Sequence, residues 1–155
     1  MRKPVQAIAI GLLALPIGSA AAPPAAHKIV TPAETVWEPG PPSLPKGARS
    51  ALLYGDPAKP NLFVLRLKLP QGYVIPPHTH PKAEIVTILS GTTVLTMGTG
   101  AKAEKPKRLV PGSFMSLSPG VVHQVRAESE SVVQLSSIGP WSINYVNPAD
   151  DPRKK

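Results

Sequence analysis

The sequence predicts one all-β domain, built as a barrel or sandwich of short strands. Its 155 residues suit one domain rather than two. From Ala51 onward, short apolar runs are separated by Gly, Pro, Ser or Asn, and no window after the N-terminal segment shows a convincing helical stripe of ten or more residues. A closed barrel or jelly roll also leaves no exposed strand edge. These observations favour a jelly-roll barrel over residues 51–147.

The first element, residues 1–21, is predicted to be a secretory signal peptide. It begins with the basic Met1-Arg2-Lys3, continues with an apolar run from Ala7 to Ala20, and ends in small residues. The alternative is a membrane anchor, but the run contains Pro16 and is shorter than the roughly 20 residues of a membrane span. We therefore expect a periplasmic or secreted protein without a stable membrane anchor after cleavage.

Residues 22–50 are predicted to form an extended, proline-rich arm, because proline cannot donate to a strand ladder. Trp37 within the arm has two interpretations. It packs against the barrel wall, or it covers a partner subunit in a homodimer. At the other end, residues 148–155 are expected to form a charged tail that frays.

The composition limits the partners and the chemistry. Basic residues are expected in one solvated loop and in the tail, and they are not interleaved with aromatic residues, which argues against a nucleic-acid partner. The loop residues are Lys102, Lys105, Lys107 and Arg108. The absence of cysteine excludes disulfides and thiolate ligands, so any metal must be held by His, Asp or Glu.

The strongest strand pattern lies in residues 61–69. Its alternation predicts one buried face and one wetter face. The buried face carries Phe63, Leu65, Leu67 and Leu69, and the other carries Leu62, Val64, Arg66 and Lys68. Further strands are predicted over residues 84–89, 92–97, 112–117, 122–127, 131–136 and 142–146.

Three of the four histidines are candidates for a metal site. His78 and His80 are two residues apart, so on a strand their imidazoles point to the same face. Glu84 opens the next predicted strand, and two histidines with a carboxylate are a recurring arrangement for divalent iron and related metals. His123 alone fits a buried core histidine as well as a ligand. His27 lies in the arm and is expected to be exposed.

The segment from Gly72 to Gly91 resembles the first motif of the cupin superfamily. That motif reads Gly, five residues, His-x-His, three or four residues, Glu, six residues and Gly, and every fixed position matches. The segment from Gly112 to His123 resembles the second motif. There, Ser118 stands where proline is usual and Ala127 replaces a usual asparagine.

This resemblance implies a double-stranded β-helix of the jelly-roll type, a small single-domain cupin, with turns at four glycines. Those glycines are Gly72, Gly91, Gly112 and Gly120. The resemblance also implies one divalent metal ion, bound by His78, His80, Glu84 and His123. Fe, Mn, Zn, Ni, Co and Cu all suit this ligand set, and filling outside the cytoplasm favours Zn or Cu.

Three functions remain open at this point. In the first, the chain is a metal-dependent enzyme that acts on a small oxygen-rich molecule, as a dioxygenase, decarboxylase, lyase or isomerase. Alternatively, it binds or senses a metal or small ligand without catalysis, or it is a structural barrel that dimerises through its arm. Tyr73 and Tyr145 are candidates to supply polar groups to a pocket. Gln134 and Ser136 are further candidates if their face of the strand points inward. The opposite face of that strand carries Val133 and Leu135, and the pattern does not choose between the two faces.

Overall fold

Short strands are the main regular structure of residues 27–155, the part of the chain that the computed structural model describes. The predicted signal peptide lies outside these residues. The strands are β1 (Glu38–Pro39), β2 (Arg49–Tyr54), β3 (Leu62–Leu69), β4 (Val74–Thr79), β5 (Glu84–Ser90), β6 (Thr93–Met97), β7 (Lys107–Leu109), β8 (Phe114–Leu117), β9 (His123–Ala127), β10 (Ser131–Ile138) and β11 (Asn144–Tyr145).

The strands form two antiparallel sheets. One sheet has the order β1-β2-β3-β10-β5-β8, and the other has the order β11-β4-β9-β6-β7. The inward faces of both sheets contribute to one hydrophobic core. This arrangement confirms the predicted all-β jelly-roll barrel. The described helices are four single turns of 3-10 type, at Pro32–Glu34, Gly100–Lys102, Pro148–Asp150 and Pro152–Lys154. None of the described helices has the length and hydropathy needed to cross a membrane.

Strand β3 shows how the sequence pattern produces the core. Its predicted inward side chains are all buried, and Phe63 is completely inaccessible to solvent. The alternate residues, from Leu62 to Lys68, are exposed or half-buried on the outer face. On the neighbouring β10, Val133 and Leu135 are buried, so these two residues point inward.

The predicted strands are present, with ends that differ by up to two residues. The pattern did not indicate β1, β2 or β7, and it indicated β4 only through the spacing of His78 and His80. Lys107 and Arg108 were expected in a loop, but they lie on β7. The reason is ladder pairing, since Lys107 is opposite Leu95 and Arg108 is opposite Val94 on β6.

Strand β4 is irregular because it contains two consecutive prolines. Pro76 and Pro77 have no N–H for the ladder, and the register with β9 shifts between Ile75 and His78. The shift leaves His78 directly opposite His123. The prolines therefore bring histidines from two strands together at one end of the sheet.

Two glycines fix turns of the barrel, Gly120 beside His80 and Gly91 at the end of β5 that lies away from Glu84. Gly91 has φ +73°, and a Cβ there would lie 2.2 Å from the Glu130 carbonyl oxygen, so no side chain fits. Gly120 has φ +77°, and its N–H donates to the carbonyl of His80 over 2.9 Å. Gly72 and Gly112 also have positive φ, as the motif resemblance implied.

The N-terminal arm lies on the outer wall of the barrel. Trp37 is half-buried there, and the Lys68 ammonium lies 5.0 Å from the centre of its ring. The Arg49 side chain donates to the Trp37 carbonyl over 2.7 Å. These contacts support the interpretation of Trp37 as a wall contact, and the homodimer stays a prediction.

The C-terminal residues were expected to fray, whereas in the structure Asp151 and Arg153 contact each other and the barrel. The Asp151 side chain is mostly buried, and its carboxylate accepts from the Arg153 guanidinium over 2.8 Å. The same guanidinium donates to the Ile143 carbonyl over 2.9 Å. This ion pair and its backbone contact hold the C-terminal turn against the barrel.

Candidate metal centre

Three buried histidines meet at one end of the barrel. His78 lies near the end of β4, His80 directly follows that strand, and His123 opens β9. Each imidazole is at most 4% exposed. One nitrogen from each ring lies within 4.8 Å of the corresponding nitrogens of the other two. The three histidines predicted from sequence are therefore positioned to hold one metal ion, whereas His27 is exposed in the arm.

The backbone orients all three imidazoles in the same way. The Nδ1 atoms of His78, His80 and His123 lie 2.7, 2.8 and 3.1 Å from the carbonyl oxygens of Pro76, Ser142 and Val121. Because a carbonyl oxygen only accepts, each Nδ1 must carry the proton in these contacts. Each Nε2 then presents a lone pair to the common centre, as metal-ligating histidines do.

Glu84 stands beside two of the histidines. Its Oε1 lies 3.4 Å from Nε2 of His80, and its Oε2 lies 3.2 Å from Nε2 of His123. As the alternation of β5 predicted, Glu84 shares the inward face of the strand with Val86 and Ile88. All four residues of the predicted ligand set are thus in one buried cluster.

Burial and neighbouring imidazoles favour the uncharged form of His78 and His80. Burial, and then the neighbouring His123 and His80, lower the pKa of His78 to about 3. Burial also lowers the pKa of His80, although Glu84 opposes the change. His78 and His80 are therefore neutral nitrogen donors at this centre.

The donor atoms of this cluster fit a cation. His80 Nε2 and Glu84 Oε2 are buried, and neither has a hydrogen-bond partner among residues 27–155. With the protons on Nδ1, the close Nε2 and Oε atoms are all acceptors, and acceptors do not stabilise one another. Buried polar atoms without partners are costly, so a shared cation explains the arrangement. Imidazole and carboxylate suit first-row divalent metals.

Trp141 is a further residue of this site, and the sequence did not indicate it. Its indole ring stacks on His80 with centroids 4.4 Å apart and planes 15° apart, and it meets Phe63 edge to face at 5.9 Å. Its buried indole nitrogen also has no hydrogen-bond partner in the described part of the chain. Nothing local in the sequence marks this role, because Trp141 is 61 residues from His80 in the chain.

The other polar candidates do not reach the centre. Gln134 and Ser136 lie on the outer face of β10, where the Gln134 amide oxygen accepts from Arg66 over 3.2 Å. The Tyr73 hydroxyl donates to the Pro45 carbonyl. The Tyr145 hydroxyl donates to the Ser43 carbonyl over 2.7 Å, and burial raises its pKa to about 12. The two tyrosines connect the barrel to the arm.

A cleft of about 770 Å³ lies beside the candidate centre, between the edge strands β7 and β8. Met97 and Met115 are among the side chains that line it. Met97 is directly opposite His123 in the ladder, and Met115 is opposite Val86, two residues from Glu84. Same-face neighbours on paired strands lie about 5 Å apart. The inner wall of the cleft therefore adjoins the histidine and carboxylate cluster.

Comparison with known proteins supports this fold. The family described as the cupin domain matches residues 65–139, which include all four residues of the cluster. No curated protein sequence matches significantly. A putative acetylacetone dioxygenase from Methylibium petroleiphilum PM1 is 18% identical with a TM-score of 0.61, and the match covers 86% of this chain and 90% of that chain.

Two further solved structures have the same fold. DMSP lyase DddQ from Ruegeria pomeroyi DSS-3 is 23% identical with a TM-score of 0.59, over 75% of this chain and 63% of that chain. KdgF from Halomonas sp. is 20% identical with a TM-score of 0.56, over 74% of this chain and 96% of that chain. The domain match shows that residues 65–139 are similar to the cupin domain, and these neighbours show the predicted jelly-roll architecture.

Proposed function

We propose that this chain is an exported, metal-dependent cupin enzyme that acts on a small oxygen-containing molecule. In this proposal His78, His80, His123 and Glu84 bind one divalent ion. The observation that carries the proposal is the convergence of three Nε2 lone pairs, each fixed by an Nδ1 contact to a backbone carbonyl. A site held this rigidly by the backbone needs little reorganisation on binding.

The choice of Glu84 as the fourth ligand rests on its contacts and on its unpartnered oxygen. Its carboxylate touches two of the three imidazoles, and its charge partly neutralises a divalent ion in a buried place. These four residues would hold the ion, and a bound ion would supply Lewis-acid chemistry to an oxygen-containing ligand. Fe, Mn, Zn, Ni, Co and Cu all suit these donors, and Zn or Cu is favoured where the ion is taken up outside the cytoplasm.

The residues of this chain have separate tasks in the proposed reaction. A bound ion supplies Lewis-acid polarisation of an oxygen-containing substrate or activation of dioxygen. The three histidines hold their lone pairs on the common centre, and the backbone carbonyls keep the Nδ1 protons away from it. Apolar side chains at the inner wall of the cleft, including Met97 and Met115, keep water from the substrate.

The solved neighbours support an enzyme over a purely structural barrel. They include a protein titled as a DMSP lyase, another titled as a putative acetylacetone dioxygenase, and a structure concerned with oxalate oxidase. Among the described residues, Glu84 is the acidic residue in contact with the histidine cluster. We therefore propose that the substrate reacts as a ligand of the ion, without a second carboxylate acting as general base.

Metal content after purification tests the binding site. The wild type is expected to retain close to one equivalent of divalent metal, while His78→Ala and Glu84→Ala lose most of it. Glu130→Gln is the matched control, because it removes an exposed carboxylate in the β9–β10 turn. Unchanged metal content in both site variants would refute the proposed ligand set.

Turnover tests the enzyme proposal separately. Protein reconstituted with Fe, Mn, Ni or Zn is offered small diketones, phenols and hydroxy acids while oxygen consumption and product formation are followed. At least one metal is expected to support turnover that His78→Ala lacks. Metal binding without turnover by any reconstituted form would favour a binding or sensing protein instead.

Export is tested by fractionation and mass spectrometry. The proposed signal peptide predicts a mature protein outside the cytoplasm that begins near residue 21 or 22. A cytoplasmic protein that still carries Met1-Arg2-Lys3 would contradict export, and it would leave the metal-site proposal intact.

A further inference from the structure

We propose that Lys107 recognises the anionic group of the substrate, which is a small organic anion with an apolar body. The inference deepens the proposed function and rests on it, since the cleft beside the metal centre is taken as the route of the substrate. It comes from the placement of one charged side chain on the inward face of an edge strand.

The position of Lys107 is unusual for a lysine. On β7, Lys107 and Leu109 share one face, and Leu109 is 8% exposed in the hydrophobic core. Across the ladder, Lys107 is opposite Leu95, which is also buried. Lys107 itself is exposed, so it lies at the solvent end of this face, at the mouth of the barrel, where it lines the cleft.

The cleft combines an apolar interior with a positively charged rim. Leu95, Met97 and Met115 line its inner part, and Lys105 and Lys107 lie at its rim. None of the described residues forms an ion pair with either lysine.

The other charges at the rim do not cancel these two ammonium groups. Arg108 is different from the lysines, because its guanidinium is paired with Glu128 over 2.7 Å. Glu104 is the acidic residue among those that line the cleft, and it is exposed. The rim therefore keeps a positive charge that a bound anion would neutralise.

These features select one chemical class of ligand. The apolar interior would accept a hydrocarbon or aromatic body, while a carboxylate at the rim would accept a charge-assisted hydrogen bond from the Lys107 ammonium. A neutral molecule of the same shape would gain the apolar contacts without the charged one. Lys107 would thus act as a specificity-determining residue, away from the reacting atoms.

An inward-pointing lysine on an edge strand has a second known use, which is to prevent edge-to-edge pairing of sheets. That role predicts self-association when the charge is removed, and it predicts no preference for anions. The test therefore measures ligand binding and oligomeric state together.

The experiment compares benzoate with benzamide on the zinc-loaded protein by calorimetry. The wild type is expected to bind benzoate about tenfold more tightly, and Lys107→Gln to lose that preference. Lys102→Gln is the matched control, because Lys102 lies in the connection that precedes β7 but outside the cleft. Equal affinities in the wild type, or a preference that persists in Lys107→Gln, would overturn the proposal.

Methyl resonances of the methionines locate the bound probe. Two of the three methionines in the chain, Met97 and Met115, line the cleft, so benzoate is expected to shift both of their signals. Shifts confined to residues outside the cleft would overturn the proposal. Light scattering of Lys107→Gln reports on edge pairing in the same samples.

If Lys107→Gln self-associates, its binding data cannot be compared with those of the wild type. The salt dependence of binding by the wild type then tests the charge contact. Salt screens an exposed ion pair, so benzoate binding by the wild type is expected to weaken several-fold between about 20 mM and about 500 mM sodium chloride, with benzamide unaffected. An equal response of both probes refutes the charge contact. Metal content is measured on each sample, so failure of the metal site is distinguished from failure of anion recognition.

Discussion

His80 is contacted at three places. Glu84 lies near its Nε2 atom, Trp141 stacks on its ring face, and the Ser142 carbonyl lies near its Nδ1 atom. The stacked indole limits rotation of the imidazole, while the Ser142 carbonyl holds the Nδ1 atom over 2.8 Å. Both restraints come from consecutive residues, Trp141 and Ser142. The segment after β10 therefore orients a residue that follows β4, although it contributes no ligand itself.

Replacement of Trp141 tests this orienting role. Trp141→Leu is expected to weaken metal binding about tenfold, in the range seen when supporting partners of metal ligands are removed. Trp141→Phe keeps a flat ring against His80 and is expected to bind metal nearly as the wild type does. Affinity is measured by chelator competition, and the Cu(II) electron paramagnetic resonance spectrum reports ligand geometry.

Trp37→Leu is the control for this prediction, because Trp37 is the other tryptophan and lies on the outer wall. If Trp141→Leu had the metal affinity and the Cu(II) spectrum of the wild type, Trp141 would be a packing residue only.

At the scale of elements, the alternation of β3 separates buried from exposed positions within one strand. Phe63→Ala removes a fully buried ring that also meets Trp141, so it is expected to lower the free energy of unfolding by about 3–5 kcal/mol. Leu62→Ala, at the preceding position, is the matched control, since its side chain is 52% exposed and a loss below about 1 kcal/mol is expected. Denaturant unfolding measures both, and similar losses would contradict the assigned faces.

The C-terminal turn provides a prediction of pH dependence. The hydrogen bond from Arg153 lowers the pKa of Asp151, although burial opposes this. A lowered pKa means that the ion pair stabilises the folded state above the usual carboxyl pKa of about 3.9 and is lost as the pH falls through the folded-state pKa. The turn is therefore expected to stay docked at neutral pH and to detach in acid.

Hydrogen exchange of the backbone amides in residues 151–154 measures this detachment. Asp151→Asn is expected to show faster exchange already at neutral pH, because the neutral amide does not form the ion pair with Arg153. Equal protection of these amides in the wild type and in Asp151→Asn would show that the ion pair does not hold the turn.

For the whole molecule, the candidate metal ligands come from separate parts of the barrel. His78 and His80 belong to the β4 end, Glu84 to β5 and His123 to β9, so both sheets contribute. A bound ion would connect the two sheets at one end. Metal binding is thus expected to stabilise the whole fold as well as the site.

Removal of the metal tests this coupling. At a free metal concentration of 100 times Kd, binding stabilises the native state by about 2.7 kcal/mol, so a chelator is expected to lower Tm by roughly 10 °C. Calorimetry of protein with and without chelator measures the shift. His78→Ala is the control and is expected to unfold at the same temperature in both conditions. A wild-type Tm that does not respond to chelator would contradict the proposed site.

Local sequence determined a large part of this protein. The two-residue period of β3, the i and i+2 spacing of His78 and His80, and the inward position of Glu84 follow from strand geometry, which depends on near neighbours only. The motif resemblance added His123 and the glycine turns. These features were predictable because each depends on a short stretch of chain.

The tertiary structure alone decided the features that depend on residues far apart in the chain. The His80 Nδ1 contact spans 62 residues, and the Trp141 stack joins the same two regions. The inward face of β10, with Val133 and Leu135, was set by packing against the opposite sheet, since polar and apolar residues alternate there without a clear signal. The sequence predicted a loop position for Lys107, whereas ladder pairing with Leu95 places it on β7 at the mouth of the cleft. Long-range pairing and packing have no local pattern, so the sequence predicted the residues of the candidate metal centre, whereas the fold determined their surroundings.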